Sequence, residues 1–297
     1  MAQFRRRSQV MCCLLLVTFV LLAFPGIAYG AGITHGAGIT HGAGTAYGEG
    51  IQVETSPQVI RKTVFRGKVS SVKVKVTNRG SVPVEIVPEV CDLSIDEQGY
   101  NVEIPDCVDY AWGLRGFTSV SPGRFTLEPG EERIVDVTIH APGSISGGRY
   151  GILYFAASDP SAKGRIAMVI RCGSLLFVTV PGTETYMGRI RDARFIRPQE
   201  PGASAAVFEA VFENTGNIHM SATGHVTISN ARKTLVNAAL KGGTGTILPG
   251  GVRLYRADFE DVMPDGVYKV KVTFAFEGKS VTMEKAFRIK GGQASFE

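Results

Sequence analysis

Tyr268-Lys-Val-Lys-Val-Thr-Phe-Ala-Phe276 sets a large apolar residue at every second position, with Lys269, Lys271, Thr273 and Ala275 between them. Successive side chains of an extended chain point to opposite faces. The spacing therefore predicts a strand with one face in a core and the other in water. The pattern extends outward from this stretch. Val281, Met283, Phe287 and Ile289 share one parity downstream, and Val72, Val74 and Val76, then Val135, Val137 and Ile139, repeat the period of two upstream. No window holds a sustained 3.6-residue stripe. Dense short strands separated by Gly, Pro and Asn predict an all-β chain of packed sheets.

The two halves share their punctuation. One strand ends at Asn78-Arg-Gly80, and Glu128-Pro-Gly130 and Gly147-Gly-Arg-Tyr150 follow. Another ends at Asn214-Thr-Gly216, and Leu248-Pro-Gly250 and Asp265-Gly-Val-Tyr268 follow. Asn-x-Gly is expected to supply the positive φ of a tight turn, and Pro-Gly to set a turn before a strand. Tyr150 and Tyr268, each near the start of a late strand, are candidate tyrosine corners. This recurrence predicts two tandem immunoglobulin-like β-sandwich domains, 51–182 and 183–290, with a C-terminal tail at 291–297. The Asn-to-Pro-Gly interval is longer in the first half, and the excess falls around Cys91 and Cys107.

The first thirty residues read differently. Arg5-Arg-Arg7, an apolar run from Val10 to Phe24, and Ala28-Tyr-Gly30 have the layout of a secretory signal peptide spanning 1–30. Without those three arginines the formal charge falls from +5 to +2, which gives no electrostatic case for nucleic acid. The expected mature protein lies outside the cytoplasm (periplasm, cell surface or secreted), with no transmembrane segment. Residues 31–50 carry Ala31-Gly-Ile-Thr-His-Gly36, its exact copy Ala37–Gly42, and the degenerate Ala43-Gly-Thr-Ala-Tyr-Gly48. Seven glycines among these twenty residues predict a flexible spacer. An oxidising location permits a disulfide, and Cys91 and Cys107, on either side of the turn signal Asp96-Glu-Gln-Gly99, are the expected pair. Cys172, in an apolar run beside Arg171, is expected to be a buried, inert thiol.

Three stretches carry a family resemblance. The first is Trp112, Phe125-Thr-Leu-Glu-Pro-Gly130, Val135-Asp-Val-Thr138 and Gly148-Arg-Tyr-Gly-Ile-Leu-Tyr-Phe155; the second is Arg171-Cys-Gly-Ser-Leu-Leu-Phe-Val178. The third is Phe212-Glu-Asn-Thr-Gly-Asn-Ile-His219 with Leu248-Pro-Gly250 and Gly266-Val-Tyr268. Over roughly residues 58–290 the chain resembles the bacterial WxL-interacting surface proteins. That resemblance implies a peptidoglycan-binding-type domain followed by one that contacts host or partner proteins. The first half also resembles periplasmic pilus chaperones through Phe125, Leu127, Pro129 and Gly130.

Catalytic signatures are missing. There is no Walker loop, Gly-x-Ser-x-Gly elbow, His-Glu-x-x-His or EF-hand loop. His219 and His225 would share a face only on an unbroken strand, which Gly224 interrupts. The acidic stretch Asp258–Asp265 lacks ordered calcium-ligand spacing. Asp106 and Asp109 have no supporting spacing as an acid–base pair. The reading is non-enzymatic, without cofactor or metal, and the expected partner is an extracytoplasmic protein or peptidoglycan. Two features are candidates for binding it. Trp112 is either the core residue of the first sandwich or an exposed stacking platform. Ile166, Met168 and Ile170 share one face of a strand that is either internal or an open edge able to accept a partner strand. The two functional readings are a binding or scaffold protein of the bacterial cell envelope and a pilus-type chaperone acting by strand addition along residues 165–171.

Overall fold

The computed structural model describes residues 44–48, 50–161, 169–196, 206–242, 245–259, 263–290 and 293–296. The signal segment, the first two repeat copies, Ile166, Met168, and Glu260 and Asp261 of the acidic stretch lie outside the described residues. Among the described residues no helix is long and apolar enough to cross a membrane. The fold is all-β, as the alternation predicts. In the stretch that opened the argument, Tyr268, Val270, Val272, Phe274 and Phe276 are buried, while Lys269, Lys271 and Ala275 are exposed.

The first sandwich packs two sheets face to face. One sheet runs β1 (Gly44–Gly48), β2 (Ile51–Ser56), β4 (Val69–Asn78), β9 (Glu132–His140), β7 (Thr118–Ser121). The other runs β3 (Val59–Thr63), β11 (Val169–Val180), β10 (Gly147–Ser158), β5 (Val84–Ile95), β6 (Asn101–Ile104), with β8 (Phe125–Leu127) on β5. Val74, Val76, Val135, Val137 and Ile139 face Ile86, Leu127, Leu153, Phe155 and Val178 across the core. The second sandwich is one folded sheet: β12 (Gly188–Ile196), β13 (Ala206–Asn214), β16 (Val252–Phe259), β15 (Thr234–Gly242), β14 (Thr223–Ser229), β17 (Gly266–Phe276), β18 (Lys279–Lys290), β19 (Gln293–Phe296). It turns the corner at β15, which pairs with β14 through Leu240 and with β16 at Lys241 and Gly242. Phe212 meets Phe274 at 5.1 Å and Phe195 meets Phe287 at 4.5 Å between ring centres, so aromatic contacts fill this interior.

The expected spacer and tail each contribute a short strand. Gly44–Gly48, the third repeat copy, forms β1 in register with Ile51–Thr55, because Gly50 at φ +77° folds the chain back onto a ladder that needs only backbone groups. Gln293–Phe296 in the tail likewise pairs with β18.

The repeated punctuation has a common physical basis. Asn78 is fully buried, and its amide donates to Val82 O at 2.8 Å and Leu127 O at 3.0 Å while its oxygen accepts Gly80 N–H at 2.9 Å. Asn214, also fully buried, donates to Ile218 O at 2.8 Å and Ile247 O at 2.9 Å and accepts Gly216 N–H at 2.9 Å. Each asparagine backbone also bonds to its Pro-Gly turn, where Gly130 and Gly250 carry the positive φ. Gly80 and Gly216 do not carry it. They are glycines because an added Cβ would stand 2.2 Å from Gly50 O and 2.1 Å from Thr185 O. Asn78→Ala and Asn214→Ala, which strand two buried carbonyls each, are expected to cost roughly 2–4 kcal/mol in denaturant unfolding. Asp, which cannot donate at either site, should be no better tolerated than Ala.

Candidate functional site: the half-covered edge of β11

β11 is antiparallel to β10 along its whole length, from Val169↔Ser158 to Val180↔Gly147. Its other side is covered only from Leu175 to Thr179, by β3 in parallel. The chain between β2 and β3 causes this, because it leaves one sheet and joins the other at residues 56–58. Ser174 Oγ donates to Pro57 O at 2.7 Å and Leu175 N–H to Gln58 O at 2.7 Å, which fixes where cover begins. Backbone groups alternate direction along a strand, so Gly173, Arg171 and Val169 turn their N–H and C=O to the same side as Leu175 N–H. Gly173 O receives the Thr55 hydroxyl at 3.5 Å. Among the described residues, no ladder pairs with that side of Val169–Gly173.

Side chains follow the same alternation. Ile170 packs partly buried against the first core, and Cys172 is buried beneath Thr55, 3.5 Å from its hydroxyl. Burial pushes the Cys172 thiol up. Val169 is 58% exposed on the opposite face. Arg171 lies on that face as well, stacked 3.9 Å from the Tyr154 ring centre and paired with Glu103 at 3.0 Å and Glu89 at 3.1 Å. This cation–π and ion-pair cluster is not visible in the sequence, since its members come from four strands. The one hint is an arginine inside an apolar run.

The expected Cys91–Cys107 disulfide is not formed; both are free thiols. Cys91 is buried on β5, 3.4 Å from Arg171 Nη2, whereas β6 ends at Ile104 and a turn from Pro105 to Val108 carries Cys107 out to solvent. Burial, then the Glu103 carboxylate, pushes the Cys91 thiol up to about 11. In protein lacking residues 1–30, one thiol should react with a water-soluble disulfide reagent near neutral pH in the native state, and three after denaturation.

The spacing excess around these cysteines is the β5–β6 hairpin. It reaches the second sandwich, where Leu254 N–H bonds Glu97 O at 2.9 Å and Gly99 leaves no room for a side chain above the buried Arg253. A second contact lies at Tyr150. Its hydroxyl accepts His219 N–H at 2.7 Å, so this tyrosine joins the two sandwiches rather than forming a corner within the first. Tyr268 Oη donates to Pro264 O at 2.6 Å, four residues upstream. Trp112 is neither core residue nor free platform. It sits half-buried in the same seam as Tyr150, Phe177 and Leu248, with the Arg149 guanidinium 5.4 Å from its ring centre. Trp112 and Ile170 thus belong to different clusters.

His219 is held in the seam between Tyr150 and Phe177, while His225 lies exposed on β14, and the described residues hold no metal-binding cluster. Asp106 is paired with Arg115. Asp92, unremarked in the sequence, is buried and accepts Leu114 N–H at 2.7 Å and Arg115 N–H at 2.8 Å, capping the turn that holds Trp112 nearby. Burial, then the Arg61 charge, holds the His219 ring below its ordinary pKa. The unfolded chain therefore takes up this proton first as pH falls. The stability tied to neutral His219 is full above about 6.5 and is lost as pH drops toward the folded value. Lowering pH from about 7 to about 5 should reduce the wild-type denaturant midpoint more than that of His219→Asn.

No family model matches the chain, and no curated protein matches it. The expected kinship with WxL-interacting proteins thus gains no support. Solved structures do match. One, described as a chaperone–tip adhesin complex vital for activation of CFA/I fimbriae biogenesis, is 15% identical with TM-score 0.43, over 78% of this chain and 97% of that one. The class 5 fimbriae chaperone CfaA is 14% identical with TM-score 0.43, over 78% and 98%. A Salmonella enterica SafA pilin complex with the SafB chaperone gives 13% identity and TM-score 0.40, over 81% and 98%.

Proposed function

We propose that this chain is a non-enzymatic, extracytoplasmic binding protein that holds a protein partner by strand addition at the first half of β11. The half-covered ladder carries this reading: β10 fixes the strand on one side, while on the other Val169 and Arg171 offer backbone groups that no strand among the described residues pairs. A rigid strand with an exposed edge loses little entropy when another strand docks, and main-chain bonds give affinity without chemistry. The partner class that fits is an exported subunit with an incomplete sheet, of the fimbrial kind named for the solved neighbours, rather than peptidoglycan. The buried, protonated thiols and the capped or paired carboxylates support a surface that binds and does not react.

The test places a photo-crosslinking phenylalanine analogue at Val169 in cells that make the protein. Adducts should map to one extended segment of an exported protein. Val169→Pro, which removes an outward N–H and spares the β10 ladder, should abolish complex formation without lowering the melting temperature. Equal crosslinking from a control position at Ile134, also exposed, would rule the reading out.

A further inference from the structure

The third repeat copy has no part in the reading so far, yet it lies where a partner strand would enter. β1 is in register with β2, Gly44 opposite Thr55 and Gly48 opposite Ile51. Thr55 reaches Cys172 and Gly173 through its hydroxyl, and β1 and β11 approach within 8 Å between Cα atoms. Through Thr55, the Gly44 end of β1 is placed beside Cys172 and Gly173, in the half of β11 that β3 leaves bare, and β1 forms no ladder to β11. It is held by one ladder only, spans five residues and has glycine at both ends. Short, glycine-rich edge strands are the weakest members of a sheet. The hinge, by contrast, is fixed. Gly50 sits at φ +77°, its carbonyl accepts Ser81 N–H at 2.9 Å, and Gln52 O accepts Arg79 N–H at 2.7 Å.

We propose that β1 is a displaceable guard strand, which shields the bare half of β11 and swings aside about the pinned Gly50 before a partner strand pairs with Val169–Gly173. The inference rests on β11 being the partner edge and adds how access to it is controlled. Small residues suit the role. Gly44, Ala46 and Gly48 hold the register positions opposite the buried Thr55, Val53 and Ile51. A guard that is closed nine-tenths of the time weakens apparent binding about tenfold, the fraction of open molecules setting the affinity.

The experiment compares protein starting at Ala31 with protein starting at Gly50, using as probe a fluorescent peptide of alternating valine and threonine, roughly eight residues long. Binding should be about tenfold tighter to the shorter protein, and amide exchange at Val169, Arg171 and Gly173 faster, with exchange in β9 unchanged. A second variant, Thr45→Cys with Glu54→Cys in a Cys107→Ser background, locks β1 onto β2 when oxidised. Oxidation should weaken probe binding and reduction should restore it. Equal affinity for both lengths and for both redox states overturns the guard and leaves the β11 edge standing. Absence of probe binding in every form overturns the edge reading and the guard with it.

Discussion

The molecule's distinctive feature depends on a crossing of three residues. At 56–58 the chain leaves the sheet of β2 and β4 and enters the sheet of β11 and β10, held there by the Ser174 hydroxyl and the Leu175 amide. A strand confined to one sheet would either have covered β11 entirely or not touched it. Because it changes sheets partway, β11 is stabilised on both sides at one end and on one side at the other. The rigid half rests on the core through Val178 and Val180, and the exposed half projects Val169 toward solvent. An edge of this kind is a hazard in an isolated protein, since unpaired backbone invites aggregation. Here it stands next to a firmly packed core, the arrangement that the proposed strand addition uses.

The two sandwiches are joined at two separate places. Tyr150 and His219 form one, and the β5–β6 hairpin against β16 forms the other. Two contacts far apart along the chain oppose rotation in a way that one linker does not. The outer face of the β11 sheet is consequently shared. Its inner rows, Ile152, Leu175 and Phe177, are covered near the seam, and its outer rows carry Arg171 and Tyr154. Each sandwich separately repeats the same asparagine staple, which ties an Asn-x-Gly turn, a Pro-Gly turn and a strand end through one buried amide.

What was legible in the sequence was local. Period two at Val72–Val76 and Tyr268–Phe276 fixes which face is buried whatever the partner strand, and Asn78 and Asn214 stand out because their turns are short-range. The purpose of Gly80 and Gly216 was read wrongly: φ is a local property, whereas the carbonyl each must approach belongs to another segment. Tyr150 failed for the same reason. Its spacing from Pro129, 21 residues, is close to the 19 of Tyr268 from Pro249, but its hydroxyl partner lies in the other sandwich. The excess around Cys91 was visible as length and invited a disulfide. Only the fold shows that β6 ends too early for one and that the hairpin tip is directed at Arg253. Arg171 and Tyr154 meet across neighbouring strands, a pairing set by register that no short window contains.

The strip formed by Ile152, Leu175 and Phe177 gains its cover from Leu248 and its neighbours, residues made long after it. A growing polypeptide can therefore close the first interior while that strip is still wet. Synthesis that stalls shortly after residue 180 would leave a folded but sticky intermediate, with an apolar patch available to any neighbouring nascent chain. Any delay in delivering 181–248 to the folding first half prolongs the exposure of that strip.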